Sequence, residues 1–435
     1  MKSAALLIAL IACGDNLPGP TTRSGARIQL VAQEFADGTR HLDPTLYDRA
    51  RDEPCVPTRW SDGFHYCAPI TTAQTVFADA GCTTELGRVV GDPPAYLVHP
   101  FWVVDRFYPS RLYARGDEVA APAETYVLRD GRCDGPTPVA PGERFFTLGA
   151  ELAVTSLASI ARDVVDDAIV VESSRDGMQR PVAIYDPALA IECVLDRLDD
   201  TTARCVPPVA PTAVYFHDDA CSAPELSVPA RDPVPEFATV YDAGRDCTTY
   251  FEVATQVGST PLYRDVGGTC TMFFAPSDEH QFLLGAPLAL QALTRARLDD
   301  GGPRFERIAV GPLEDPALYD RELGVECVPR ALAGELRCLP SAAAVTPVFD
   351  DALCTQPSLV AEVPRARCDV PLPPARFALH DGAYHEVLAP APTVYELTTG
   401  DRCVAYTPDA NVALHQLGPA VPLDRFGAAM LVPVP

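Results

Sequence analysis

Apolar positions along this chain come in short runs that are cut off sharply. Val76-Phe77-Ala78 stops at Asp79, Val214-Tyr215-Phe216 at His217-Asp218-Asp219, and Val348-Phe349 at Asp350-Asp351. The runs are rich in Val, Tyr, Phe and Thr and are punctuated by Asp-Gly, Asp-Asp and Pro. Branched and aromatic side chains suit a pleated surface, and these dipeptides suit tight turns, so the pattern predicts strands and turns. Proline supports this: 44 of 435 residues is about twice the ordinary ~5%, and proline is costly inside helices. The best helical window is residues 150–162. Comparison with the rest of the chain places Pro287, Pro419 and Pro422 at matching positions, so this stretch also reads as extended.

The pattern recurs three times. Pro54-Cys55…Tyr66-Cys67-Ala68-Pro69 returns as Glu192-Cys193…Arg204-Cys205-Val206-Pro207 and as Glu326-Cys327…Arg337-Cys338-Leu339-Pro340, at intervals of 138 and 134 residues. Each copy has a Tyr-Asp upstream, at Tyr47-Asp48, Tyr185-Asp186 and Tyr319-Asp320. Each also has a second aromatic segment ending in cysteine, at Tyr126…Cys133, Tyr263…Cys270 and Tyr395…Cys403. The expected architecture is all-β, with three repeats of about 135 residues, each of two β half-repeats. Six four-stranded units closing into a six-bladed propeller are favoured over three tandem β domains. The expected divisions are 27–156, 157–292 and 293–435, preceded by segments 1–12 and 13–26.

The fifteen cysteines extend the repeat. Cys55–Cys67, Cys193–Cys205 and Cys327–Cys338 are expected as hairpin staples, because turn signals lie between the partners. Closing such a loop stabilises by roughly 3 kcal/mol in the chain-entropy account. Cys247 with Cys270 and Cys354 with Cys368 are the next expected pairs. Cys82, Cys133, Cys221 and Cys403 have no obvious partner, although Cys82–Cys133 would join the half-repeats of the first copy. No Cys-x-x-Cys is present, which argues against zinc.

Cys13 belongs to no copy. It follows Lys2 and the apolar stretch 4–12, a run too short to span a bilayer. Leu10-Ile11-Ala12-Cys13 resembles the lipobox of bacterial lipoproteins. That resemblance implies cleavage before Cys13, diacylglycerol on its sulfur, and export to the envelope, at the outer membrane or cell surface rather than the inner membrane. Residues 1–12 are then the signal peptide. Residues 13–26, rich in Gly, Pro, Ser and Thr, form a tether spanning very roughly 20 Å. Behind this lipobox, the repeated Cys…Arg-Cys-Leu-Pro and Tyr-Phe-x-Asp-x-x-Cys segments resemble uncharacterised Cys-rich repeat lipoproteins of myxobacteria. That resemblance implies no activity.

Charge narrows the partners. Removing Lys2 from 34 basic residues against 59 acidic ones leaves −26. Such a body disfavours nucleic acid and leaves membrane attachment to lipid on Cys13. The Gly-x-Ser-x-Gly elbow, His-Glu-x-x-His pair, Walker loop, dinucleotide fingerprint and EF-hand loop are all absent. His380 and His385, around Asp381-Gly382, form the tightest histidine pair. Asp166-Asp167, Asp199-Asp200, Asp218-Asp219, Asp299-Asp300 and Asp350-Asp351 put adjacent acids on opposite strand faces. Phe101-Trp102 with Phe107-Tyr108 is the densest aromatic cluster and reads as core before it reads as a sugar platform. No metal or cofactor is expected. The expectation is an exported, lipid-anchored β-repeat protein that binds a glycan or protein or has a structural role in the envelope. The alternative is a propeller enzyme, such as a glycan hydrolase, that uses dispersed acids.

Overall fold

The computed structural model describes residues 22–434 apart from 71, 104–105, 130, 167, 209, 231–233, 243, 259–260, 267–268, 275–278, 299–300 and 400–401. Nearly all ordered elements are strands. Residues 150–162 are extended apart from one 3-10 turn, Val154–Ser156.

A 15-stranded antiparallel sheet forms the centre. Ile28–Phe35, Arg40–Asp48, Glu53–Arg59 and His65–Pro69 are its first group of four, made of successive hairpins. Ile169–Ser174, Gln179–Asp186, Ile191–Arg197 and Thr202–Val206 repeat the arrangement. Phe305–Val310, Leu313–Asp320, Val325–Leu332 and Glu335–Pro340 do so again. Ser159–Val165 links the first group to the second, and Ala292–Leu298 the second to the third. The last strand, Ala429–Pro433, pairs with Ile28–Phe35. Ala428, just before it, bridges Arg337 in the third group, so the two ends of the sheet meet.

The recurring Tyr-Asp dipeptides explain the second hairpin of each group. Asp48, Asp186 and Asp320 end a strand, and each carboxylate accepts the N–H two residues on, from Ala50, Ala188 and Glu322. Each thereby fixes its turn. Cys55–Cys67, Cys193–Cys205 and Cys327–Cys338 then staple the strands on either side of the next turn.

The first hairpins interlock between groups. In the turn of the second group, Asp176 Oδ2 accepts N–H bonds from Arg27 and Ile28 at 2.5 and 2.8 Å. In the turn of the first group, Asp37 Oδ2 accepts from Arg304 and Phe305 at 2.9 and 3.0 Å. Packing follows the same cycle. Met178 of the second group joins the core of Leu30, Leu46, Cys55 and Cys67. Val310 and Leu313 of the third join Ile184, Cys193 and Cys205. Phe35 of the first joins Phe305, Leu318, Cys327 and Cys338.

Three seven-stranded side sheets branch off after the groups. They share one strand order. In the second it runs Phe237–Asp242, Cys247–Val257, Glu279–Pro287, Pro224–Pro229, Tyr215–Phe216, Pro261–Val266, Thr269–Phe274. The sequence predicted six four-stranded units, but hydrogen bonding merges the half-repeats. Phe77 pairs with Tyr126, Phe216 with Tyr263 and Phe349 with Tyr395, which puts both aromatic segments of a copy in one sheet.

That pairing corrects the remaining cysteines. Cys270 is bonded to Cys221, not Cys247, and Cys354 to Cys403, not Cys368. Cys82–Cys133 is the corresponding bond of the first side sheet. Cys82, Cys221 and Cys354 each adopt a left-handed backbone (φ 49°, 51° and 51°) and present sulfur to the neighbouring hairpin. Cys247, at the start of a strand of the second side sheet, bonds to Cys368, in the turn of a separate two-stranded ribbon made by Ala366–Arg367 and Val370–Pro371. The expected tether also ends earlier than residue 26: Arg23 bridges Gln179, and Ala26 N–H donates to Asp176.

Candidate functional site

The groups of the central sheet meet through polar contacts. Arg180 Nη1 donates to the Asp43 carbonyl at 3.3 Å and also holds Glu172. Gln33 donates to Asp43 at 2.5 Å. Leu42 N–H donates to Glu314 at 3.3 Å, while Arg307 pairs with the same carboxylate. Gln33, Asp43, Glu172 and Arg180 are buried, and buried polar groups need such partners.

Beside this seam lies a cavity of about 320 Å³, lined by Thr22, His41, Leu42, Arg307, Glu314 and the C-terminal Val432–Val434. It combines apolar walls with a few converging polar groups, the usual make-up of a ligand pocket. His41 is 5% exposed. Its Nδ1 stands 3.2 Å from Glu314 Oε2, out of line for a hydrogen bond. Burial pushes the Glu314 carboxyl up, but His41, Arg307 and the Leu42 N–H outweigh it and hold the group below the ordinary carboxylate range. Glu314 is therefore anionic at neutral pH and suits a donor or cation rather than an anion. A second cavity, of about 370 Å³, lies where Arg27 meets Thr155 and Asp176. Arg27 is engaged there by Asp48, at 2.8 and 2.6 Å, and by the Ser156 carbonyl.

Among the described residues, three histidine–carboxylate pairs sit in side sheets; His380 and Asp381, 3.3 Å apart, are neighbours on a turn, and the other two are hydrogen-bonded. Glu85 contacts both His99 Nδ1 and Thr75 Oγ1. Burial raises the Glu85 carboxyl, but these two hydrogen bonds bring it below its usual range. Thr75 Oγ1 and Glu85 both meet the same ring nitrogen, Nδ1. A proton relay needs them on opposite nitrogens. In the second side sheet, His217 Nδ1 lies 3.0 Å from Glu225 Oε2. Glu225 is fully buried, and burial keeps its carboxyl above the usual range despite His217. Glu225 Oε1 and Gln281 Oε1 face no donor.

Other residues singled out by sequence have structural tasks. His380 pairs with Ala383 across the Asp381-Gly382 turn, and His385 Nδ1 contacts the Gly418 carbonyl at 3.1 Å. Asp79, Asp218 and Asp351 turn inward on their own loops. Asp218 accepts from Ser222 and Ala223 N–H, and Asp351 from Thr355 and Gln356. Asp199 accepts from Thr201, and Asp200 pairs with Arg197. Phe101 pairs with Tyr108 and Trp102 with Phe107 along one hairpin, and Arg59 stacks 5.7 Å from the Tyr108 ring. Asp167, Asp299, Asp300 and Cys13 lie outside the described residues, as do the side chains of Phe101, Trp102 and Phe107. Among the described residues, no group of three or more His, Cys, Asp or Glu is placed to hold a metal ion.

Sequence reasoning missed His41, Glu314 and the turn acids Asp37 and Asp176. The turn acids had a visible signal, Asp37-Gly38 and Asp176-Gly177 at matching positions of two copies. His41 and Glu314 had none, since neither recurs between copies.

Seven disulfides fit an oxidising, extracytoplasmic environment. Among the described residues, no helix is long and apolar enough to cross a membrane. No curated protein and no solved structure matches the chain. The model of a family of unknown function (DUF7481) matches residues 6–426, nearly the whole length, and the chain belongs to that family.

Proposed function

We propose that this chain is an exported, lipid-anchored protein of three β repeats, acting as a binding or structural component of the cell envelope at the outer membrane or cell surface. The cysteine inventory carries the reading. Fourteen of fifteen cysteines are paired in seven bonds, which leaves only Cys13, directly after the apolar stretch 4–12. An unpaired cysteine in an oxidised body calls for another use, and lipidation supplies one. A binding role is supported by the cavity beside His41 and Glu314.

The test is membrane fractionation of the full chain. The parent is expected in the membrane pellet after a high-salt wash, and Cys13→Ala in the soluble exported fraction. Membrane retention of the variant would overturn the anchor. A screen of the folded body against envelope glycans and proteins then reads the binding role directly. Glu314→Gln is expected to weaken any ligand held in the cavity.

A further inference from the structure

His41 is buried, yet among the described residues no hydrogen bond reaches either of its ring nitrogens. Nδ1 is covered, with Glu314 Oε2 3.2 Å away, so Nε2 is the nitrogen left open to a ligand. A buried polar atom without a partner costs free energy, and such atoms in folded proteins usually have one. The repeat does not require a histidine here. Counting back from the recurring Asp48, Asp186 and Asp320, His41 falls at the position of Gln179 and Leu313. Glu314 likewise falls at the position of Leu42 and Arg180. The first and third groups thus bring to this seam two side chains that the threefold pattern does not call for.

The charges around the cavity of about 320 Å³ are already matched. Arg307 pairs with Glu314, and Arg40 with Glu34 at 2.7 Å. An anion entering here meets the Glu314 carboxylate, and a cation meets Arg40 and Arg307. A neutral hydroxyl meets neither penalty, and it can both donate and accept. Leu42, Val432 and Val434 add an apolar wall for a C–H face. We propose that this cavity binds a single neutral sugar residue of an envelope glycan, with a hydroxyl bonded to His41 Nε2. It rests on the proposed binding role and gives that role a ligand class. The volume, at the small end for ligand pockets, suits a single ring rather than an oligosaccharide.

Saturation-transfer NMR and calorimetry on the oxidised full chain test this with free glucose, galactose and mannose, each beside its uronate and its 2-amino form. At least one of the neutral sugars is expected to bind with a Kd of about 1 mM, and its charged forms about tenfold more weakly. His41→Leu places at this position the residue that the third group carries as Leu313. It is expected to weaken the neutral sugar about tenfold while keeping the disulfide map of the parent. If that variant misfolds, the imidazole nitrogen signal of His41 in the parent decides: a shift on adding the sugar supports the contact, and no shift overturns it. No binding of a neutral sugar, equal binding of its charged forms, or an affinity untouched by His41→Leu would overturn the inference. If an intact envelope glycan or protein still binds under any of those results, the broader binding role stands. If nothing binds, both fall.

Discussion

Cys247 of the second side sheet and Cys368 of the two-stranded ribbon Ala366–Arg367/Val370–Pro371 are bonded, with Cα atoms 4.6 Å apart and a sequence separation of 121. The link is reinforced by Arg245, which pairs with Asp369 and accepts the Cys368 N–H at its carbonyl. The chain-entropy account gives a loop of this size an upper value near 5 kcal/mol. Replacing both cysteines by serine is expected to cost about 2–4 kcal/mol in urea unfolding. A non-reducing peptide map of the parent should tie the Cys247 peptide to that of Cys368. Finding it tied to Cys270 would reject this topology.

Acid sensitivity should trace to the cysteine loops. The Asp79 carboxyl is held at about 2: burial works to raise it, but the N–H and hydroxyl groups of Thr83 and Thr84 outweigh that. Its folded value lies below the unfolded one, near 3.9. The stability it contributes is therefore present above about pH 4 and is lost as pH falls towards about 2. Asp79→Asn is expected to flatten the fall in thermal midpoint across that window. An unchanged slope would refute the assignment.

Glu225 should act in the opposite sense. Burial raises its carboxyl against the pull of His217, so the folded state holds its proton more tightly than the unfolded chain. Its contribution is fullest below about pH 4 and is lost as pH rises through the folded value. Glu225→Gln is expected to raise neutral-pH stability by roughly 1 kcal/mol. Parallel stability–pH curves for parent and variant between pH 4 and 7 would show that the charge is not penalised.

Asp176→Ala removes the acceptor for the Arg27 and Ile28 N–H groups. Two backbone donors lose their partner, at a cost of roughly 1–3 kcal/mol. Hydrogen exchange should show the loss at Arg27 and Ile28, about 150 residues away in sequence. Asp176→Asn is expected to lose less. Protection lost only around residue 176 would argue against interlocking.

Local features of this fold were legible and distant ones were not. Cys55 and Cys67 flank a turn written as Ser61-Asp62-Gly63, so spacing and turn chemistry name the bond together. For Cys247 the nearest cysteine was misleading, because its partner lies in another sheet. The separations of 51, 49 and 49 residues in Cys82–Cys133, Cys221–Cys270 and Cys354–Cys403 were a usable regularity, masked by preferring close neighbours. Half-repeats were visible as aromatic segments, but the pairing of Phe216 with Tyr263, which puts both in one sheet, depends on register and leaves no trace in composition. The cavity was hidden for a similar reason: His41 and Glu314 meet only when the first and third groups come together.

The pairing of Ile28–Phe35 with Ala429–Pro433 also constrains the order of events during biogenesis. The first strand to emerge from the export machinery must wait for the last before its free edge is covered. A chain stalled before residue 429 would therefore be an aggregation hazard rather than a shorter functional protein. The edge of Ile28–Phe35 is therefore closed only once residues 429–433 have been made.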